Sequence, residues 1–373
     1  MSIAGFQKWQ RVNDVKFNPH AASELIRIAK GCLEAWQELI HITGGELEID
    51  KSCLTLMTWK PAHGREILET VSESRGDLSI RSVKYPGLQV LLNRNEVSKG
   101  ERILGVRLAL DGNDRDEFAY RLTQAKDLAG RIRSAPFSRE DAEVIYRERW
   151  LPSVGYCLPI TQFSIKQCQK IQIPFYQAIL PKMGFNRHIP TAVRFGPKKY
   201  NGKGLADFAT QQHIQHLERF CGHIRRQKEI GNLLQIKMDT IQLIMGSCQH
   251  FFQLDPSIYC YGEKSFVQYL WEHNYNNNIT IHLHDPWRIQ PARENDLFIM
   301  DEMIKKVTKM DVLCRMNDVR LFLQVTRLSD ISVESGDALD LSILNGTPKP
   351  SCLTWPKRRV PLEENLKQFR MII

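Results

Sequence analysis

The sequence holds no apolar run approaching the ~18 residues that a membrane-spanning helix requires, so no span is expected. It also lacks the apolar stretch of a secretory signal. Its opening, MSIAGFQKWQRVNDVKF, is broken throughout by polar and charged residues. No two of its nine cysteines, at 32, 53, 157, 168, 221, 248, 260, 314 and 352, stand at the C-x-x-C spacing of a zinc or redox site. These absences point to reduced thiols in an intracellular protein of the nucleus or cytoplasm, with no membrane partner. There is no G-x-S-x-G elbow and no P-loop, which removes the common signatures of acyl transfer and nucleotide hydrolysis. Internal repeats and low-complexity tracts are absent too.

What is present is a basic chain of 373 residues with 51 lysines and arginines against 42 acids, net charge +9 and pI near 9.0. Hydrophobic content of 42% is enough for packed cores, so disorder is not expected. The positive excess favours polyanionic partners, nucleic acid first among them.

Periodicity divides the chain into three stretches. Residues 1–112 read as mixed α/β. A helix over 21–42 carries a stripe of Leu25, Ala29, Cys32, Trp36 and Leu39, closed by Gly44 and Gly45. Short strands are expected at 47–49, 54–59, 83–92 and 102–110, with a loop over 60–82 and a turn at Asp111-Gly112. Residues 113–254 read as a helical unit, with helices over 115–134, from Ser138 to about 151, from a Ser164/Gln167 capping box onward, and over 206–228 and 233–254. Pro174 is expected to kink or end the third of these. In the fourth, Ile214, Leu217, Cys221 and Ile224 are expected inside. Residues 255–293 give little beyond a strand-like alternation at 279–283. A helix over 294–309, a strand around Leu321, Leu323 and Val325, and an extended basic tail with prolines from 348 complete a small α+β segment over 255–373. The fold class expected is therefore α+β, mostly α.

Asp111, Asp114, Asp116 and Glu117 are the densest acidic group. They sit at a turn into a helix, where carboxylates favour the helix N-terminus. His213, His216 and His223 share one helix and read as surface or groove histidines; His282 and His284 read as one face of an edge strand. The basic groups are Arg131, Arg133, Arg139, Arg147 and Arg149; Lys198, Lys199 and Lys203; Arg225, Arg226 and Lys228; and Lys357, Arg358 and Arg359. Singly each is a solvated face, whereas together they can follow a phosphate backbone.

Several segments, in order, resemble retroelement reverse transcriptases of the non-LTR-like kind. AWQELIHITGGELEIDKSCLTLMTW at 35–59 is similar to the stretch that follows the family's catalytic motif, with a tryptophan helix, a glycine pair and Lys51-x-Cys53. RILGVRLALDG at 102–112 is similar to the family's "LGV" strand at the end of the palm. WLPSVGYCLPI and ILPKMG fit the helices beyond it. RFGPKKYNGKGLADF at 194–208 resembles a "P…GGLG" segment, with Lys203 in place of its second glycine. The REND and LSDI stretches within 293–331, with TWP at 354–356, resemble the terminal region of one retroelement group. The aromatic-x-Asp-Asp motif expected just upstream of residue 20 is not in the sequence, nor is an acidic set for ribonuclease H or integrase.

The resemblance implies a truncated palm segment over 1–112, a thumb-like helical unit over 113–254 and a C-terminal segment. It implies a partial or degenerate RNA-directed DNA polymerase without catalytic carboxylates. Such a chain would bind RNA or DNA, as duplex or hybrid, without sequence preference. Arg121, Lys126, Arg131 and Arg133 would touch phosphates, joined by Lys198, Lys199, Lys203, Arg225 and Arg226. No cofactor is expected here; magnesium belongs to a full-length polymerase, and an intact polymerase acting in trans is a candidate partner. The alternatives are a stand-alone nucleic-acid-binding or interaction protein and a non-functional product of a decayed element.

Overall fold

The computed structural model describes residues 20–45, 47–48, 52–62, 65–74, 76–81, 87–259, 265–284, 286–356 and 358–373. Residue 49 of the expected first strand, Lys51 of the K-x-C motif, 83–86 of the expected third strand and Lys357 of the tail run lie outside them. The protein is α+β and mostly α, at 53% helix and 7% strand, so helix packing carries most of the fold. It divides into two compact units. One comprises Met1–Cys157 with Phe163–Pro190, the other Leu158–Gln162 with Thr191–Ile373. The expected break at 112 thus falls inside the first unit and that at 254 inside the second.

The first unit opens with α1, His20–Ile42, ended by Gly44 at φ +80°. The stripe at Leu25, Cys32, Trp36 and Leu39 does not face inward: Leu39 is 58% exposed, while Gln37 is buried. Among the described residues eight short strands follow and pair two by two. They are β1 Cys53–Leu54, β2 Trp59–Ala62, β3 Arg65–Leu68, β4 Ser79–Arg81, β5 Gln89–Leu91, β6 Asn93–Arg94, β7 Glu101–Ile103 and β8 Val106–Leu108. β1 and β6 run parallel; β2–β3, β4–β5 and β7–β8 are antiparallel. Two expectations need correction. The loop over 60–82 contains a hairpin and β4. The single strand over 102–110 is a hairpin turning at Leu104 and Gly105, whose φ values of 50° and 89° are both positive, as tight hairpin turns demand.

The helices of this unit form for local reasons legible in the sequence. α2, Arg115–Ser134, lays Ala125, Ala129 and Ile132 against α5, Ile165–Lys182. α3, Arg139–Val144, opens with a Ser138/Asp141 capping box and continues through a π turn, Ile145–Trp150, into α4, Leu151–Val154. That wider turn places both Tyr146 and Trp150 inward, where the indole stacks on Phe175 at 3.8 Å. α5 opens with the Ser164/Gln167 box and runs on through Pro174 and Pro181, so the helix does not end at Pro174. Burial of Phe175, Tyr176, Ile179 and Leu180 offsets the backbone hydrogen bonds those prolines remove.

The second unit contains α6 Thr191–Phe195, α7 Phe208–Arg226, α8 Glu229–Met245, α9 Phe266–Asn276, α10 Ile299–Lys306, α11 Met310–Leu323, α12 Leu341–Leu344 and α13 Glu363–Ile372. One core gathers Phe220, Ile241, Phe251, Leu270 and Trp271; a second gathers Met300, Met316, Val319, Leu323 and Phe369. The expected strand at 321–325 is the end of α11. Its alternation misleads because the helix is buried almost all round, with Leu313, Met316, Val319 and Leu321 inside. The described part of 279–284 has no regular strand, and the tail returns to helix in α13. Strand character in the described part of 255–373 is confined to the bridges Phe298–Arg327 and Ser332–Leu339.

Candidate nucleic-acid interface

The expected site residues separate into three environments. Arg121 is the clearest correction. It is only 3% exposed, and its guanidinium is consumed internally. Nε donates to Glu117 at 2.5 Å, Nη1 to the Ser153 carbonyl at 2.6 Å and to Gln124 at 3.0 Å, and Nη2 to the Gly105 carbonyl at 2.9 Å. The other Glu117 oxygen accepts from the Arg107 N–H at 2.7 Å. The pair ties the β7–β8 hairpin and the end of α4 to α2. A buried charge held this way is structural: four of its five N–H donors are engaged, and the group is enclosed away from any phosphate. The acidic group has equally local employment: Asp116 accepts from Gly100 N and Asp111 from Asn113 N. These bonds give the acidic group the local role expected of carboxylates at a turn into a helix N-terminus.

Lys126, Arg131 and Arg133 lie on the solvent side of α2 and make no ion pair among the described residues. Lys126 and Arg133 are seven residues apart, about 20° apart around the helix, and so share a face; Arg131 points about 140° from Lys126. These cations lie in the first unit. The second unit holds the remainder at the two ends of α7. Lys198, Lys199 and Lys203 precede its Asp207 cap, while Arg225 and Arg226 close it. Lys198, Lys199, Arg225 and Arg226 are exposed; Lys203 is half-buried. Nineteen helical residues put the two groups roughly 28 Å apart, the reach of about eight nucleotides along one strand. Arg226 lines an open depression of about 720 Å³ with His223, Lys228 and Asn232. In the tail, Arg358 is engaged, donating to Asp318 at 2.8 Å.

Of the four residues expected on the inward face of α7, Leu217 and Ile224 pack against the core and the other two do not. Ile214 is 42% exposed and Cys221 is exposed, while Gln212, His213, His216 and Phe220 face inside. His213 Nε2 bonds Asn274 Oδ1 at 2.8 Å, and its ring stacks on His273 at 3.8 Å. Gln212 donates to the Tyr269 hydroxyl at 3.1 Å. The Nδ1 atoms of His213 and His216 are buried without a partner among the described residues. Burial, with the His273 ring, lowers the His213 pKa to about 4; burial first, and the charges of His213 and Arg219, do the same for His216. The expectation of surface or groove histidines is thereby corrected for His213 and His216, while the half-buried His223 lines the depression beside Arg226; no group of three or more His, Cys, Asp or Glu side chains among the described residues is placed to hold a metal.

The residues of the terminal motifs have local structural work. Asp296 accepts from Ser329 Oγ at 2.6 Å and from Ala292 N. Asp330 collects Thr326 N, Arg327 N, the Arg327 guanidinium and Lys349 Nζ, the last at 2.9 Å. Burial opposes its charge, yet these donors hold its pKa down to about 2. Arg320, which sequence reasoning passed over, is fully buried and donates to Asn317 and to the carbonyls of Leu243, Ile244 and Val325, closing the C-terminus of α8. Its only sequence signal is position, inside a stretch that is otherwise apolar.

All eight cysteines among the described residues are free, and no helix there is long and apolar enough to cross a membrane. No family model, curated protein or solved structure matches this chain.

Proposed function

We propose that the chain is related to the C-terminal part of retroelement reverse transcriptases and binds nucleic-acid duplex or hybrid through its phosphates, without reading sequence. The resemblance rests on the ordered motif residues alone. The observation that carries the binding reading is the set of exposed cations with no ion-pair partner among the described residues: Lys126, Arg131 and Arg133 on one helix, and Lys198, Lys199, Arg225 and Arg226 at the ends of another. Exposed cations cost little to bring to a phosphate because they need not abandon an existing partner, and releasing condensed counterions drives association. Contacts of this kind position a duplex and carry no sequence information. RNA or DNA is thus the partner class, with an intact polymerase in trans, and its magnesium, belonging to the same proposal.

The test is competition. A labelled RNA–DNA hybrid is bound, then challenged with unlabelled hybrid or with heparin at equal charge. Hybrid competing at least several-fold better supports recognition of duplex geometry. Equal competition overturns it in favour of bare charge.

A further inference from the structure

The segment 191–205 folds back on itself through backbone bonds. Lys203 N donates to Val193 O at 2.8 Å, Gly204 N to Gly196 O at 2.8 Å and Leu205 N to Arg194 O at 3.1 Å. Inside this clasp sits the turn Lys198–Tyr200, closed by Asn201 at φ 62°. Glycine is required where the two arms cross: a Cβ on Gly202 would stand 2.0 Å from the Gly196 carbonyl oxygen. The result is a preformed loop whose tip carries two exposed lysines and one aromatic ring. Tyr200 is 72% exposed, and Lys199 Nζ lies 4.7 Å from its ring centroid.

A lone exposed tyrosine is ordinary. An aromatic ring held at the tip of a backbone-locked loop, with one lysine at its face and Lys198 next to it in sequence, has a more specific chemistry. A flat π surface accepts a flat partner, and two adjacent cations demand that the partner be anionic beside its flat part. An unpaired nucleotide satisfies both conditions at once, with its base on the ring and its phosphate on the lysines. A base inside a duplex does not, because its faces are already stacked on its neighbours. We infer that Tyr200, with Lys198 and Lys199, is a stacking platform for an unpaired nucleotide, giving the chain a preference for single strands or for duplexes with unpaired ends. This rests on the nucleic-acid reading above and adds a ligand class to it.

The experiment uses the full chain and fluorescence anisotropy with labelled dT12, a blunt 12-base-pair RNA–DNA hybrid and the same hybrid with a four-nucleotide overhang. Because Tyr200 faces solvent, Tyr200→Ala and Tyr200→Phe are expected to fold as the parent does. Loss of one stacked base is expected to weaken dT12 and overhang binding by about tenfold in Tyr200→Ala. Tyr200→Phe retains binding, and the blunt hybrid is bound equally by all three proteins. If Tyr200→Ala binds dT12 and the overhang as the parent does while the blunt hybrid is still bound, the platform is wrong and the duplex reading survives. Equal weakening on all three ligands also overturns the platform, since the ring would then serve only to shape the loop. Failure of the parent chain to bind any of them removes both readings.

Discussion

Acidification is expected to unfold this protein through α7 and α9, and the size of the effect can be worked from the buried imidazoles. His213 and His216 are 3% and 1% exposed, and each has a pKa near 4 in the folded chain against about 6.5 when unfolded. The half-buried His273, stacked on His213, is also lowered by burial, though Asp207 pulls it the other way. Lowered histidines bind fewer protons when folded than when unfolded. Their contribution is therefore complete above pH 6.5 and is lost as pH falls from 6.5 towards 4. At pH 5 linkage gives a loss of about 2 kcal/mol for each of His213 and His216, and about 3–4 for the pair, since part of the His216 shift comes from the charge of His213. The assay is urea unfolding at pH 7.5 and pH 5.0, on the parent and on His213→Gln/His216→Gln. The variant is expected to be less stable at pH 7.5, having lost packing and the Asn274 bond, yet to lose about 3 kcal/mol less than the parent on acidification. His250, also lowered to about 4 by burial, leaves the variant a residual slope. If the variant keeps the whole parental pH dependence, these two imidazoles are not its source.

Four further outcomes follow from the same structure. Arg320→Met leaves the Leu243 and Ile244 carbonyls at the end of α8, the Val325 carbonyl and the Asn317 amide without their donor and is expected to cost about 3–5 kcal/mol, read as a lowered urea midpoint; a change under about 1 would mean the end of α8 does not need it. Asp330→Asn weakens the node with Arg327 and Lys349, with an expected cost of about 2 kcal/mol above pH 4 that shrinks as pH falls towards 2, because a lowered carboxylate stabilises only while ionised. Leu104→Gly relieves a non-glycine residue at φ 50° on an 88% exposed side chain, so thermal unfolding is expected to shift upward, by about 1 kcal/mol; destabilisation would show that the leucine side chain holds the turn. Arg121→Ala and Arg133→Ala should divide cleanly. The first lowers stability by about 3 kcal/mol, and the second weakens hybrid binding without moving the melting temperature.

Local signals were legible. Ser164 with Gln167 is a capping box in the chain and in the fold, Ser138 opens its helix as expected, and α2 spans the expected 115–134 with Ala125, Ala129 and Ile132 inside. What could not be read depends on distant neighbours. Nothing in the spelling of Arg121 separates it from Arg131; one is buried because Gly105, Glu117 and Ser153 converge on it, the other meets water. The inner face of α7 was read in part: Leu217 and Ile224 do pack on the core, but Ile214 and Cys221 look apolar while His213 and His216 look polar. Asn274 and the His273 ring reverse that preference by giving the imidazoles partners inside. Alternation at Leu321, Leu323 and Val325 suggested a strand because period two and a helix buried nearly all round produce similar short patterns. The hairpin at β2 and β3 was hidden by Pro61 and its polar neighbours, which an edge pair tolerates.

The central claim, that exposed cations bind phosphates without reading sequence, is tested most directly by a salt titration. Anisotropy of a labelled RNA–DNA hybrid is measured from 50 to 200 mM potassium chloride, for two unrelated sequences and for Lys126→Ala/Arg133→Ala. The account predicts a Kd of roughly 10⁻⁴–10⁻⁶ M at physiological salt, equal for both sequences, with a log–log slope that flattens by about 2 in the double variant. Absence of binding at 50 mM, or binding that ignores salt, would contradict it.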